Sequence, residues 1–210
     1  MSKGKCSMPK VSDDYKERKR ESLLESALKC FGEKGYHTTT MDDIVAYSKT
    51  SKGLIYNYFK SKEELYLTLM QERTVQTFEK INQRFQNISS SKDKLIELFQ
   101  MYSEISLTEK WRNMIRVHME FWINSARHEN LQAIMIERYK DQYRLFLSHI
   151  IKQGIASGEF KKTIDPDIIS SLFWANIDGI CLHYSVVEED EIYKAQFKAA
   201  EEMIMSYIVI

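Results

Sequence analysis

Residues 35–66, GYHTTTMDDIVAYSKTSKGLIYNYFKSKEELY, contain two short helical patterns joined by three residues. Thr40 and Asp43 form a capping box: the hydroxyl accepts from the N–H three residues on, and the acid reaches back to the cap. A helix should therefore run from Met41 to Tyr47 or Ser48, with Ile44 and Val45 on its buried side. Lys49-Thr50-Ser51 reads as a tight turn. Ser51 can cap a second helix, Lys52 to Phe59, whose Leu54, Ile55 and Phe59 face inward. Ser61 and Glu64 form a further capping box, opening a long helix to about Asn87. These are helix-turn-helix proportions, in which the second helix enters the major groove of DNA and the first crosses its backbone. Helical hairpins of other bundles share them, so the polar residues must decide.

Thr40, Thr50 and Ser51 fall at helix N-termini, where free N–H groups and the helix dipole favour an anion, and their hydroxyls add donors for phosphate. Lys52, Gly53, Tyr56 and Asn57 take the solvent side of the second short helix. Glycine there leaves the backbone free to approach DNA closely. Lys62 opens the long helix, where a cation opposes the dipole and a bound phosphate would offset it. Charge is unevenly spread. Residues 1–62 hold 13 Lys/Arg and 8 Asp/Glu, the remainder 17 and 22, so a zero net charge hides a basic head on an acidic body. That polarity fits a head that touches a polyanion.

The same stretch resembles the DNA-binding segment of TetR-family regulators: a Gly-aromatic pair, a Thr pair, an Ile soon after, then Ser-x-Gly-x-x-Tyr-x-x-Phe and Lys-Glu-x-Leu. The resemblance covers about fifty of 210 residues. It implies phosphate contacts from Thr40, Thr50, Ser51, Asn57, Tyr58 and Lys62, and base contacts from Lys52, Gly53 and Tyr56. Tyr58 stands where the family often has His, Lys49 replaces a common turn Gly, and Thr50 replaces a common apolar residue. A single recognition helix reads few bases, so a homodimer on a pseudo-palindrome of double-stranded DNA is expected. Repression is the family's usual mode.

Outward from this stretch everything reads as helix. Only 7 Gly and 2 Pro interrupt 210 residues, and alternating strand patterns are scarce. The fold class is all-α with about nine helices: a flexible basic arm at 1–12, a helix-turn-helix domain at 13–62 and a helical regulatory and dimerisation body at 63–210. Asp13 to Lys34 carries an apolar stripe of Leu23, Leu24, Ala27, Leu28 and Phe31, stopped by Gly35. Further helices span Lys92 to Ser103, Thr108 to Ala126, and Glu129 to about Ile155, the last ended by Gly154 and Gly158. Asp165-Pro166 starts another that runs to about Val187, and the final one begins near Asp190.

The last two helices carry Phe173, Ile177, Ile180, Tyr184, Phe197, Ala200, Ile204 and Tyr207. By resemblance these build a dimer interface; a monomer core is the alternative, though a surface helix normally keeps a polar face. The middle helices are rich in Met and aromatics. Ile115, His118, Met119 and Trp122, with Asn176 opposite, are candidates for a small-molecule effector pocket, and plain core is again the alternative. Asp178, an isolated carboxylate in an apolar helix, belongs either to a dimer pair or to a solvated cavity. A ligand preferring one tilt of the long helix would change the separation of the two heads.

Other classes fit less well. His118-Met119-Glu120 matches His-x-Glu but lacks the Pro-Cys-x-x-Cys partner of zinc deaminases, and no phosphate loop, Rossmann fingerprint or Gly-x-Ser-x-Gly occurs. No catalysis, metal or cofactor is expected. Cys6, Cys30 and Cys181 match no redox or zinc spacing, and the start lacks a signal-peptide pattern. No apolar run would span a membrane, so a cytoplasmic location is expected. A helical protein–protein adaptor, or a DNA binder without a small ligand, remains open on sequence alone.

Overall fold

The computed structural model describes residues 13–210. The basic arm expected over 1–12 lies outside them, as does Cys6. The helices are α1 (Asp13–Lys34), α2 (Met41–Ser48), α3 (Lys52–Tyr58), α4 (Lys62–Phe85), α5 (Ser91–Ser103), α6 (Glu109–Ser125), α7 (Glu129–Glu137), α8 (Leu145–Ser157), α9 (Pro166–Val187) and α10 (Asp190–Ile208). A π-helical segment, Arg138–Arg144, joins α7 to α8 without a break, so the described residues make nine rods. Among the described residues the fold is all-α, with one isolated antiparallel bridge between Phe160 and Val209.

The chain divides into two compact units at Leu69 and Met70, inside α4. In the first, the α1 stripe of Leu23, Leu24, Ala27, Leu28 and Phe31 is buried. Gly35, at φ +82°, ends α1 by donating its N–H to Phe31 O at 2.8 Å. The unit runs past residue 62 because the second turn of α4 supplies core. Leu65 and Tyr66 are fully buried, and the Tyr66 ring lies 5.2 Å from Phe31 and 4.4 Å from Tyr36.

The second unit packs around Phe99, Phe173, Trp174, Tyr193 and Phe197. The π-helical segment has a cause in the sequence. Leu131, Met135 and Arg138 follow one buried stripe, and Leu147, Ile151 and Gly154 continue it. Between Arg138 and Tyr143 the step is five residues, one more than an α-helical turn repeats. One wider stretch absorbs that phase error and keeps both halves facing inward.

Gly154 lies within α8 and does not end it; Gly158, at φ +82°, does. A Cβ on Gly154 would fall 2.3 Å from the Phe160 ring and 2.9 Å from Ser91 Cβ, so glycine here permits close packing. Just beyond, Glu159 caps the start of α5. Its carboxylate accepts from Ser90 Oγ at 2.6 Å, Lys92 N at 2.9 Å, Ser157 Oγ at 2.8 Å and Ser91 N at 3.2 Å. Burial pushes this carboxyl up, but those four donors outweigh it and hold it down at about 2, against an ordinary 4.5. The stabilisation is thus complete above pH 4.5 and is lost as the pH falls toward 2. Glu159→Gln should lower stability by about 1 kcal/mol at pH 7, less than the usual value for hydrogen bonds to a charged group because the site is partly exposed. Urea melts at pH 7 and pH 3 should show the gap to wild type shrinking at the lower pH.

Candidate nucleic-acid interface

The helix-turn-helix is held by local chemistry. Thr40 Oγ1 accepts from Asp43 N at 3.1 Å while Asp43 Oδ2 accepts from Thr40 N at 2.8 Å, completing the capping box. The Lys34 ammonium, 2.6 Å from Asp43, together with the Thr40 hydroxyl, holds that carboxyl well below the usual carboxylate range. Lys49 closes α2 in the left-handed region, at φ 50°, a place where glycine is easier. Ser51 caps α3 by accepting from Leu54 N at 3.2 Å.

The α3 helix is two-faced. Ile55 and Phe59 are buried, and Leu54 and Tyr58 are half-buried. Lys52, Gly53, Tyr56 and Asn57 are all exposed, in two stripes at i, i+4 spacing. Tyr56 keeps 42% of its surface open. Lys52 Nζ lies 2.8 Å from Asp42 in an exposed pair, which raises its affinity for its proton. A Cβ added to Gly53 would meet nothing within 4 Å. The four form a shallow polar platform able to lie against a groove floor.

Three of the residues expected at phosphates are engaged or buried within the head itself. The Lys62 ammonium is bound by backbone: Tyr36 O at 2.6 Å, Thr39 O at 2.8 Å and His37 O at 3.3 Å, with the Tyr36 ring 4.4 Å away. Its three donors tie down the α1–α2 loop, which also answers why a cation sits at a helix start. Thr50 Oγ1 is buried without a hydrogen-bond partner, and the Thr50 N–H turns back to Val45 O at 3.3 Å. The Thr40 hydroxyl donates to Asp43 Oδ2 at 2.7 Å, so its proton is committed. Two further exposed cations, Lys49 and Lys60, flank α3 in sequence. Their signal in the sequence was only a lysine on each side of the recognition helix.

The dimer set needs correction. Phe173, Ile177, Ile180, Tyr184, Phe197, Ala200 and Ile204 are buried in this chain's own core, and Tyr207 alone of the eight is exposed. The inward and outward stripes of α9 and α10 are both apolar, so sequence periodicity could not tell them apart. The outward set is Ile168, Leu172, Leu182 and Val186 on α9, with Met203 and Tyr207 on α10.

The expected pocket residues also separate. Ile115 is core, and Met119 packs against that core. Asn176 turns its amide back to Leu172 O at 2.8 Å on its own helix. His118 and Trp122 do meet, Trp122 Nε1 donating to His118 Nε2 at 3.2 Å, and Asp178 Oδ1 stands 3.4 Å from the same nitrogen. Asp178 therefore faces His118 within the chain. A cleft of about 830 Å³ lies between the end of α5 and α10, lined by Phe99, Glu104, Leu107, Lys194 and Glu201 among others; none of the five expected residues lines it. Burial raises the thiol of Cys181 to about 12, and that of Cys30 moves the same way. Among the described residues no helix is long and apolar enough to cross a membrane.

Residues 23–69 match the family described as bacterial regulatory proteins, tetR family, and residues 98–194 match the tetracyclin repressor-like C-terminal domain. The regulator YfiR of Bacillus subtilis is 27% identical over 189 residues, covering 87% of this chain and 88% of the relative. QacR of Staphylococcus aureus is 27% identical over 166 residues, covering 77% and 83%. Among solved structures, a transcriptional regulator from Saccharomonospora viridis in complex with choline superposes with a TM-score of 0.79 at 20% identity, covering 92% of this chain and 99% of that one. With a helix-turn-helix head, a helical body and both halves of the family matched, the chain belongs to the TetR family of DNA-binding transcriptional regulators.

Proposed function

We propose that the chain is a homodimeric repressor that holds a pseudo-palindromic operator through two α3 helices and is released by a small amphipathic ligand. The observation that carries the DNA reading is the α3 platform: Lys52, Gly53, Tyr56 and Asn57 exposed together over a buried Ile55 and Phe59. Lys52 and Tyr56 are suited to base edges, while Ser51, Asn57, Lys49 and Lys60 are suited to the flanking phosphates. Selection of bound duplexes from a random pool tests this. A two-fold symmetric consensus is the expected product, and an unenriched pool would overturn the reading.

Dimerisation is supported by the outward apolar stripe on α9 and α10, more than a lone surface needs. Between Leu172 and Leu182, Gly179 leaves open space, so a second helix can approach closely there. Leu182→Glu, at an exposed position that the fold tolerates, should yield a monomer by analytical ultracentrifugation. It should also lose most operator affinity, because one head reads only half a site.

A further inference from the structure

The second unit buries a charge that no carboxylate among the described residues pairs with. Arg138 is 94% buried by its 6% residual exposure. Its guanidinium meets only neutral groups: Nε donates to Thr74 Oγ1 at 2.8 Å, Nη2 to the Tyr143 hydroxyl at 3.1 Å, and Nη1 to the Met135 sulfur at 3.8 Å. The Tyr143 ring lies 4.9 Å from the guanidinium carbon. Among the described residues no Asp or Glu pairs with it, although the other arginines around it in sequence are on the surface or half-buried. Arginine stays charged in proteins, so it cannot escape this by shedding a proton. Burying such a charge is costly unless an anion answers it.

From this we infer an anion site at Arg138, taking the carboxylate of an amphipathic organic acid. The inference rests on the ligand-sensing reading above and names its ligand class. Thr74, Tyr143 and the Met135 sulfur use three of the five guanidinium N–H groups, which leaves two for the oxygens of a carboxylate. The Met135 thioether, 3.8 Å from Nη1, is a weak and flexible partner that yields readily to a stronger acceptor. The local charge favours an anion: the π-helical heptapeptide RYKDQYR has three cations and one acid. An apolar wall adjoins the head-group position. Tyr143 lies 5.1 Å from Phe78 and 4.9 Å from Trp174, and Phe146 lies 5.1 Å from Phe78. The π-helical geometry brings Arg138 and Tyr143 to one place, and such segments recur at functional sites.

Isothermal titration with purified dimer compares three sets of probes: benzoate, octanoate and hexadecanoate; octanol; and octyltrimethylammonium. At least one carboxylate should bind, and the acid should exceed its equal-length alcohol on the order of 10- to 100-fold, as expected for hydrogen bonds to a charged group. In Arg138→Met, which keeps volume and removes charge, that ratio should fall to about one while alcohol binding persists. Equal binding of acid and alcohol, preference for the cation, or no carboxylate bound would overturn the site without using the variant at all. Operator binding is measured separately. If a carboxylate binds at Arg138 and the operator complex is unaffected, the anion site stands and the release mechanism fails; if the operator is bound and no carboxylate binds, only the site fails.

Discussion

Raising salt from about 50 to 200 mM is expected to weaken operator binding on the order of 10³-fold. Each head offers three exposed cations around α3: Lys49, Lys52 and Lys60. Two heads then neutralise about six phosphates, and released counterions give a log–log slope near −5. Had Lys62 also reached phosphate, the slope would be near −7 and the loss on the order of 10⁴-fold. Lys52 must leave Asp42 to take part, but an exposed pair of this kind is worth little, so the exchange is easy. Anisotropy titrations on the selected duplex at four salt concentrations measure the slope. Lys52→Ala should flatten it by about two, one for each head, and a wild-type slope shallower than about −2 would remove the α3 platform from the interface.

Lys62→Ala is expected to weaken DNA binding by destabilising the head and freeing the α1–α2 loop, while Tyr56→Ala abolishes it with the head intact. The Lys62 ammonium satisfies three loop carbonyls at 2.6, 2.8 and 3.3 Å. Truncation removes all three charge-assisted bonds and should cost about 3 kcal/mol, allowing for partial rescue by water. That is a large fraction of the total stability of a small domain. Tyr56 contributes little to the core, so its loss should move the melting temperature by a degree or two at most while removing a groove contact. Circular dichroism melts beside gel-shift titrations separate the two. If Lys62→Ala melts like wild type and still fails to bind, the ammonium contacts DNA after all.

Much of this was legible in the sequence because the deciding signals were local. Thr40 with Asp43, Ser51 before Lys52, and Asp165 before Pro166 each mark a helix start through atoms only two or three residues apart. The outer face of α3 followed from the same periodicity. What needed the structure were questions of long range. The sequence shows Lys62 only as a cation at a helix start, because its partners, the carbonyls of Tyr36, His37 and Thr39, lie more than twenty residues away. The dimer stripe was misplaced because α9 and α10 are apolar on two sides, and only packing says which side the chain keeps. Arg138 follows Leu131 and Met135 on a buried stripe, so a charge at a core position is visible in the sequence, but the widened helix that carries the five-residue step to Tyr143 shows only in the packing.

Gly53 sits on ordinary helical backbone with empty space where a side chain would go. Alanine there would strengthen the helix by roughly 1 kcal/mol, so the stability of the isolated chain argues for a different residue. On the proposed DNA reading, folding and recognition therefore pull in opposite directions at one carbon atom. Selection of variants for heat resistance alone would fill that position, and the survivors would be sturdier proteins less able to find their site.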